Sequence, residues 1–227
     1  MINIKAGKLK VFEIIFLLSV VFFIILQALI RDDNPVAVIS AICGITYTFI
    51  AGKGRPVCYL FGISGSFFYC LLAYQNQLWG NLLLYAAYYL PMQIIGFFKW
   101  NKNLKEGKMD IIKEELPKRQ LCLLISVLTI ISFFVYLTLV FLSHDTHPIL
   151  DSLTTVLSIG GMYLTVKRAI EQWLFWIGVN VLSLAMWISV ALNGARVYST
   201  IIMWAVYLFL AIYFYILWKK EIENKTI

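Results

Sequence analysis

The sequence predicts an all-α polytopic membrane protein, with eight transmembrane helices in a 1+3+1+3 order: two parallel three-helix repeats joined by a linker helix. Three observations predict it. The 227 residues are 61% hydrophobic and 14% charged, against about half and a quarter in an ordinary soluble domain, and mean hydropathy is +0.83. Eight stretches reach the roughly 20 apolar residues that a spanning helix needs. The basic residues, finally, fall in alternate loops.

The first helix, at about 11–30, follows the basic segment MINIKAGKLK. Its apolar run is too long for a signal peptide and lacks a small-x-small cleavage site, so it reads as a retained helix. The others lie at about 35–52, 56–74, 79–98, 120–142, 148–166, 172–190 and 197–218. Of the 19 lysines and arginines, all but Arg31 and Arg196 precede helix 1, lie between helices 2 and 3, 4 and 5, or 6 and 7, or follow helix 8. Basic loops stay in the cytoplasm, so both termini are expected there, which an even number of spans requires. Seven of these cations, Lys99, Lys102, Lys105, Lys108, Lys113, Lys118 and Arg119, sit between helices 4 and 5, and their expected role is topological.

Helices 2–4 and 6–8 resemble one another. Gly44 and Tyr47 match Gly160 and Tyr163 at a shift of 116; YLFGISGSFF (59–68) lies over WLFWIGVNVL (173–182) at a shift of 114, which also brings Gly80 onto Gly194. Tyr89 and Trp100 fall on Tyr207 and Trp218 at a shift of 118. Each repeat has an odd number of helices, so the linker helix inverts the chain and the repeats enter the membrane in the same sense. Parallel repeats place a binding site between them near the midplane. The expected segments are therefore 1–34, an N-terminal cytoplasmic stretch and extra helix; 35–100, the first repeat; 101–147, a basic loop, the linker helix and an outer loop; 148–218, the second repeat; and 219–227, a cytoplasmic tail.

Two helices carry polar stripes. At 100° per residue, Asn81, Tyr85, Tyr88 and Met92 share an arc of ~60°, which Tyr89, Gln93 and Gly96 widen to about 140°. In helix 7, Trp173, Trp176, Asn180, Ser183 and Trp187 share ~80°. The repeat sets Ser66 against Asn180 and Tyr207 against Tyr89. Amides and hydroxyls also serve as glue between membrane helices, and Trp79, Trp100 and Trp218, at span ends, read as interfacial belts. Gln93 and Asn180 lie well inside their spans, however, with aromatics on the same face. Amides beside aromatic planes suit a flat, hydrogen-bonding or cationic ring, so the stripe of helix 4 is expected to line a solute cavity.

The remaining features exclude more than they assign. Glu13, Asp151 and Glu171 lie near helix ends, and no carboxylate or cation falls deep in a span. Ion-coupled carriers usually keep one there, so facilitated diffusion is favoured. Cys43, Cys58, Cys70 and Cys122 have no CxxC spacing and read as apolar filler. His144 and His147 of SHDTHP read as solvated loop residues. No cofactor, metal or nucleic-acid site is expected, and no nucleophile–base pair marks an enzyme.

The one-plus-three-plus-one-plus-three order, YYLPMQIIGFFKW (88–100) and WLFWIGVN (173–180) resemble the PnuC family of bacterial nicotinamide riboside transporters over residues ~35–218. The resemblance implies a fold related to the SWEET sugar transporters, a homotrimer in the bacterial inner membrane, and facilitated diffusion of nicotinamide riboside, trapped by a cytoplasmic kinase. It implies substrate-binding roles for Gln93, Trp173, Trp176 and Asn180, the amides meeting the carboxamide and ribose hydroxyls and the tryptophans the pyridinium ring. Asn81, Tyr89 and Tyr207 complete the expected lining. WGN (79–81) departs from the family's W-G-x-W form because residue 82 is Leu, which leaves Tyr85 or Tyr89 to stack in the first repeat. A transporter for thiamine or riboflavin, or a non-transporting membrane scaffold, would share much of this pattern.

Overall fold

The computed structural model describes residues 11–31, 34–75, 82–105, 110–143, 148–192 and 198–224. The described chain is helical, with two isolated β-bridges, Leu104 to Ile111 and Glu114 to Ala169. The helices are α1 (Val11–Arg31), α2 (Pro35–Gly52), α3 (Cys58–Gln75), α4 (Leu90–Asn101), α5 (Lys118–Thr138), α6 (Pro148–Lys167), α7 (Gln172–Leu192) and α8 (Tyr198–Glu223). Five of them, α1, α2, α5, α6 and α8, are long and apolar enough to cross a membrane. Of the other three, α4 has 12 residues and α7 is itself strongly apolar; α4 and α7 bury the mid-helix amides Gln93 and Asn180, and α3 buries the hydroxyl of Ser66.

Two short stretches are π-helical, Leu84–Tyr89 running into α4 and Leu139–Ser143 ending α5. The first has a visible cause. Pro91 has no N–H, and its ring would strike the carbonyl four residues back in a regular helix. Widening the preceding turn relieves that clash, and Leu90 N–H accordingly donates to Tyr85 O, five residues back. The wider turn also breaks the 100° spacing. The buried face of α4 is Tyr89, Gln93, Gly96 and Trp100, whereas Tyr85, Tyr88 and Met92 are half-buried.

The chain forms two compact units, residues 1–112 and 113–227. In the first, α2 packs on α3, α3 on α4, and α1 on α2. Asn34 caps α2, its Oδ1 accepting from Val36 N–H at 2.9 Å, and its Nδ2 donates to Gln75 Oε1 at the far end of α3. At the crossing of α2 and α3, a Cβ on Gly65 would lie 3.0 Å from Cys43 Cβ. The bare glycine lets the backbones approach, as small residues do between membrane helices, and Ser40 Oγ donates to Gly65 O at 3.0 Å. The α1 helix leaves most of its apolar surface open, Leu29 at 77% for instance, but buries Glu13, which pairs with Lys53.

In the second unit α5 packs on α6, α6 on α7 and α7 on α8. Helix α5 buries only Leu128, its other apolar side chains lying open or half-open.

Several details recur between the units at the shifts read from sequence. Gly54 turns the chain between α2 and α3 with φ 72°; at a shift of 114, Arg168 does so between α6 and α7 with φ 63°. In the first unit Tyr59 meets Trp100 edge-on, centroids 5.0 Å apart and planes at 81°; in the second, Trp173 meets Trp218 at 5.6 Å and 82°. Trp100 and Trp218 are fully buried, so they are core residues that lock helix ends together, not the interfacial belts that their positions suggested. Trp79 lies outside the described residues.

The connector before α5 also differs from a solvated, purely topological loop. Asp110, Ile111 and Lys113 are buried. In the first unit Ile111 N–H donates to Gly54 O at 2.9 Å, and Arg55 Nε lies 3.6 Å from Asp110 Oδ1. In the second, Glu114 N–H donates to Arg168 O at 3.1 Å and Ile170 N–H to Glu114 O at 2.9 Å. Arg168 pairs with the Glu114 carboxylate, and Lys113 pairs with Glu221 while lying 4.9 Å from the Trp218 ring centre.

Candidate functional site

In the first unit the site grows from α3 and α4. Gln93, 6% exposed, projects onto α3 between Gly62 and Ser66. A Cβ on Gly62 would lie 3.1 Å from Gln93 Cδ and 2.8 Å from the Tyr47 ring. Gln93 Nε2 donates to Ser66 Oγ at 3.0 Å, and that hydroxyl lies 3.3 Å from Gln93 Oε1. A ladder of phenols runs between α3 and the π-helical turn. Tyr69 stacks on Tyr85 with centroids 4.0 Å apart, Tyr85 meets Tyr89 at 4.8 Å, and Tyr89 meets Tyr88 at 5.6 Å. Tyr89 is buried, and Asn81 lies outside the described residues.

In the second unit Trp173, Trp176, Asn180 and Ser183 recur every three or four residues along α7. Trp173, Asn180 and Ser183 are buried and Trp176 is half-buried. The Trp176 ring covers Gly161, where a Cβ would lie 3.1 Å from it, and its Nε1 donates to Thr165 Oγ1 at 3.2 Å. Trp173 is enclosed by Phe214 and Trp218, both with ring centres 5.6 Å away, and its Nε1 is buried without a hydrogen-bond partner among the described residues. Asn180 is 5% exposed. Tyr207 is half-buried beside Trp204, centroids 5.9 Å apart. The Trp187 side chain, His144 and His147 lie outside the described residues.

The structure thus brings Gln93 and Tyr89 onto one buried face of α4, and Trp173, Trp176 and Asn180 onto one side of α7. Sequence reasoning missed Ser66 as the partner of Gln93, and Tyr47 and Gly62 as its surroundings. The signal was present in the repeat, which set Ser66 against Asn180, and in the one-turn spacing of Gly62 and Ser66.

Charge is kept away from these groups. The buried charged side chains, Glu13, Asp110, Lys113 and Arg168, sit at helix ends or in the connector, each beside an opposite charge. Between α6 and α7, burial pushes the Glu171 carboxyl up from its ordinary range, with Glu115 adding to the rise. Its two oxygens both accept from Leu116 N–H, at 3.0 and 3.2 Å, which partly offsets the shift.

Multiple apolar helices, buried amides beside aromatic planes and charge confined to the ends define a multi-pass α-helical membrane transporter. The profile of the nicotinamide mononucleotide transporter family matches residues 34–220, and the chain belongs to that family. It is 30% identical to the nicotinamide riboside transporter PnuC of Neisseria mucosa, over 95% of this chain and 83% of that protein. It is 29% identical to the PnuC of Haemophilus influenzae, over 95% and 92% respectively, and 26% identical to that of Escherichia coli, over 74% and 79%. The crystal structure of the vitamin B3 transporter PnuC is similar to it with a TM-score of 0.81 at 29% identity, covering 96% of this chain and 94% of that one.

Proposed function

We propose that this chain carries nicotinamide riboside across the bacterial inner membrane by facilitated diffusion, with alternating access around a midplane site and both termini in the cytoplasm. A cytoplasmic kinase that phosphorylates the riboside traps it, and the working assembly is a homotrimer. Gln93 and Asn180 meet the carboxamide and ribose hydroxyls, Trp173 and Trp176 meet the pyridinium ring, and Asn81, Tyr89 and Tyr207 complete the lining. The observation that carries this reading is Asn180. A carboxamide 5% exposed in the middle of α7, on the side that carries Trp173 and Trp176, is costly to bury unless hydrogen-bond partners are supplied. The relatives' substrate, a flat cation with its own carboxamide and hydroxyls, supplies them and gives the tryptophans a cationic face to stack on.

Calorimetric titration of the purified protein with nicotinamide riboside, thiamine and riboflavin tests it. Riboside binding is expected, weakened about tenfold in Asn180→Ala by the loss of ~1.5 kcal/mol of hydrogen bonding, with the melting temperature held. Selective binding of thiamine or riboflavin would replace the substrate, and binding of none would return the amides to helix packing.

A further inference from the structure

The two units place their buried carboxamide on different helices. At a shift of 114, Ser66 of α3 matches Asn180 of α7, and both are buried. At a shift of 118, Gln93 of α4 matches Ala211 of α8, also buried. Where the first unit has a hydroxyl on its middle helix and a carboxamide on the next, the second has a carboxamide on the middle helix and only a methyl group on the next. Each unit therefore keeps one carboxamide at this level of the repeat.

We infer that Ser66 is a positioning residue for Gln93, and that the Ser66–Gln93 pair of the first unit is the functional counterpart of Asn180 alone in the second. This deepens the riboside-transport reading and rests on it. Asn180 reaches its place on a short side chain with two rotatable bonds. Gln93 starts from another helix and has three, so a free glutamine would lose more rotamer freedom on binding. The α3 helix removes that freedom in advance. Gly62 leaves the room that the carboxamide occupies, and Ser66, one turn on, accepts one of its N–H groups at 3.0 Å. A carboxamide has two N–H donors and a carbonyl with two lone pairs. Ser66 Oγ lies 3.0 Å from Nε2 and 3.3 Å from Oε1, so it faces the edge that carries the carbonyl and the N–H beside it; the outer N–H and the carbonyl's second lone pair are left for a solute's own polar groups.

The test uses the full-length protein, comparing Ser66→Ala, Ser66→Thr, Gln93→Ala and the exchange variant S66N/Q93A, which writes the second unit's arrangement into the first. Riboside affinity is read by calorimetry, KM and maximal rate by uptake into vesicles, and folding by thermal unfolding. Ser66→Ala is expected to raise Kd and KM about tenfold with the maximal rate and melting temperature little changed. Ser66→Thr, which keeps the hydroxyl, should bind within a few-fold of the unaltered protein. Gln93→Ala should bind weakly, and S66N/Q93A should recover most of the lost affinity. Unchanged affinity in Ser66→Ala, equal losses in the Ala and Thr variants, or an exchange variant no better than Gln93→Ala would each overturn the inference. Should the unaltered protein bind thiamine or riboflavin instead, the substrate reading fails and the same ranking of variants, measured with that ligand, still decides this one. No binding of any of the three overturns both.

Discussion

At the scale of single residues, the matched edge-on pairs bury something unusual. Tyr59 and Trp173 occupy the same repeat position, and each has its one polar atom buried without a hydrogen-bond partner among the described residues. For Tyr59 the reason is steric. Its phenol lies over Gly96, where a Cβ would come within 2.4 Å of the ring, and Trp100 closes the other side. An unsatisfied buried hydroxyl is destabilising by about 1–3 kcal/mol, so Tyr59→Phe is expected to raise the melting temperature. Gly96→Ala should lower stability by about 1–3 kcal/mol through overpacking, and Tyr59→Phe should soften that loss. A thermal-unfolding series in detergent checks all three; a stabilised Gly96→Ala would refute the account. Glu171 gives a pH test. Because its pKa is raised, the folded state holds the proton more tightly than the unfolded chain. Stability is therefore greatest below the ordinary carboxyl range and falls as pH rises through the raised value. Glu171→Gln keeps an acceptor for Leu116 N–H and should remove that part of the slope, a gain of at most about 1 kcal/mol at neutral pH given its partial exposure. Thermal unfolding between pH 4 and 7 would show it.

At the scale of elements, the eight helices were legible because a membrane leaves a chain few alternatives: backbone groups must pair within a segment, and the segment must be apolar and long enough. The faces of those helices were less legible. Stepping 100° at a time gave one stripe in which Asn81, Tyr85, Tyr88 and Met92 shared a ~60° arc that Tyr89, Gln93 and Gly96 widened on one side, whereas only the side of Tyr89, Gln93 and Gly96, with Trp100, is buried. Pro91 was visible in the sequence, but a proline can be met by a kink, a break or a widened turn, and local composition does not choose among them. If the proline causes the wide turn, Pro91→Ala should restore the N–H and let the segment tighten. Tyr85 would then rotate away from Tyr69. We expect riboside uptake to fall several-fold while the melting temperature holds or rises, and a joint loss of both would point to packing instead. Helix α7, with no such interruption, buries Trp173, Asn180 and Ser183 of the face that its spacing predicted, with Trp176 half-buried.

At the scale of the whole molecule, the charges of the connector show what a linear reading misses. Lys113 was counted among seven topological cations, yet it is buried against Trp218 and paired with Glu221. That partner stands 108 positions away, and no local pattern announces it. The burial of Trp100 and Trp218 was hidden in the same way, since a tryptophan at a span end looks alike whether lipid or protein covers it. The ties of the connector divide cleanly: Asp110, Ile111 and Ile112 bond within the first unit, Lys113 and Glu114 within the second. Two separate chains ending at Ile112 and beginning at Lys113 would keep all of these bonds. Each half, expressed alone, should therefore insert and unfold cooperatively in detergent. A half that is degraded or unfolds without a transition would show that these bonds do not suffice for it.

The same division has a consequence for biogenesis. The carbonyl of Gly54 waits for the amide of Ile111, and Arg55 for the carboxylate of Asp110, so the turn between α2 and α3 stays incomplete until the ribosome has passed residue 111. By then both partners of each of these ties have been synthesised. The protein can thus mature in two rounds as it is made, the earlier bundle closing on its own tail before the later one reaches the membrane.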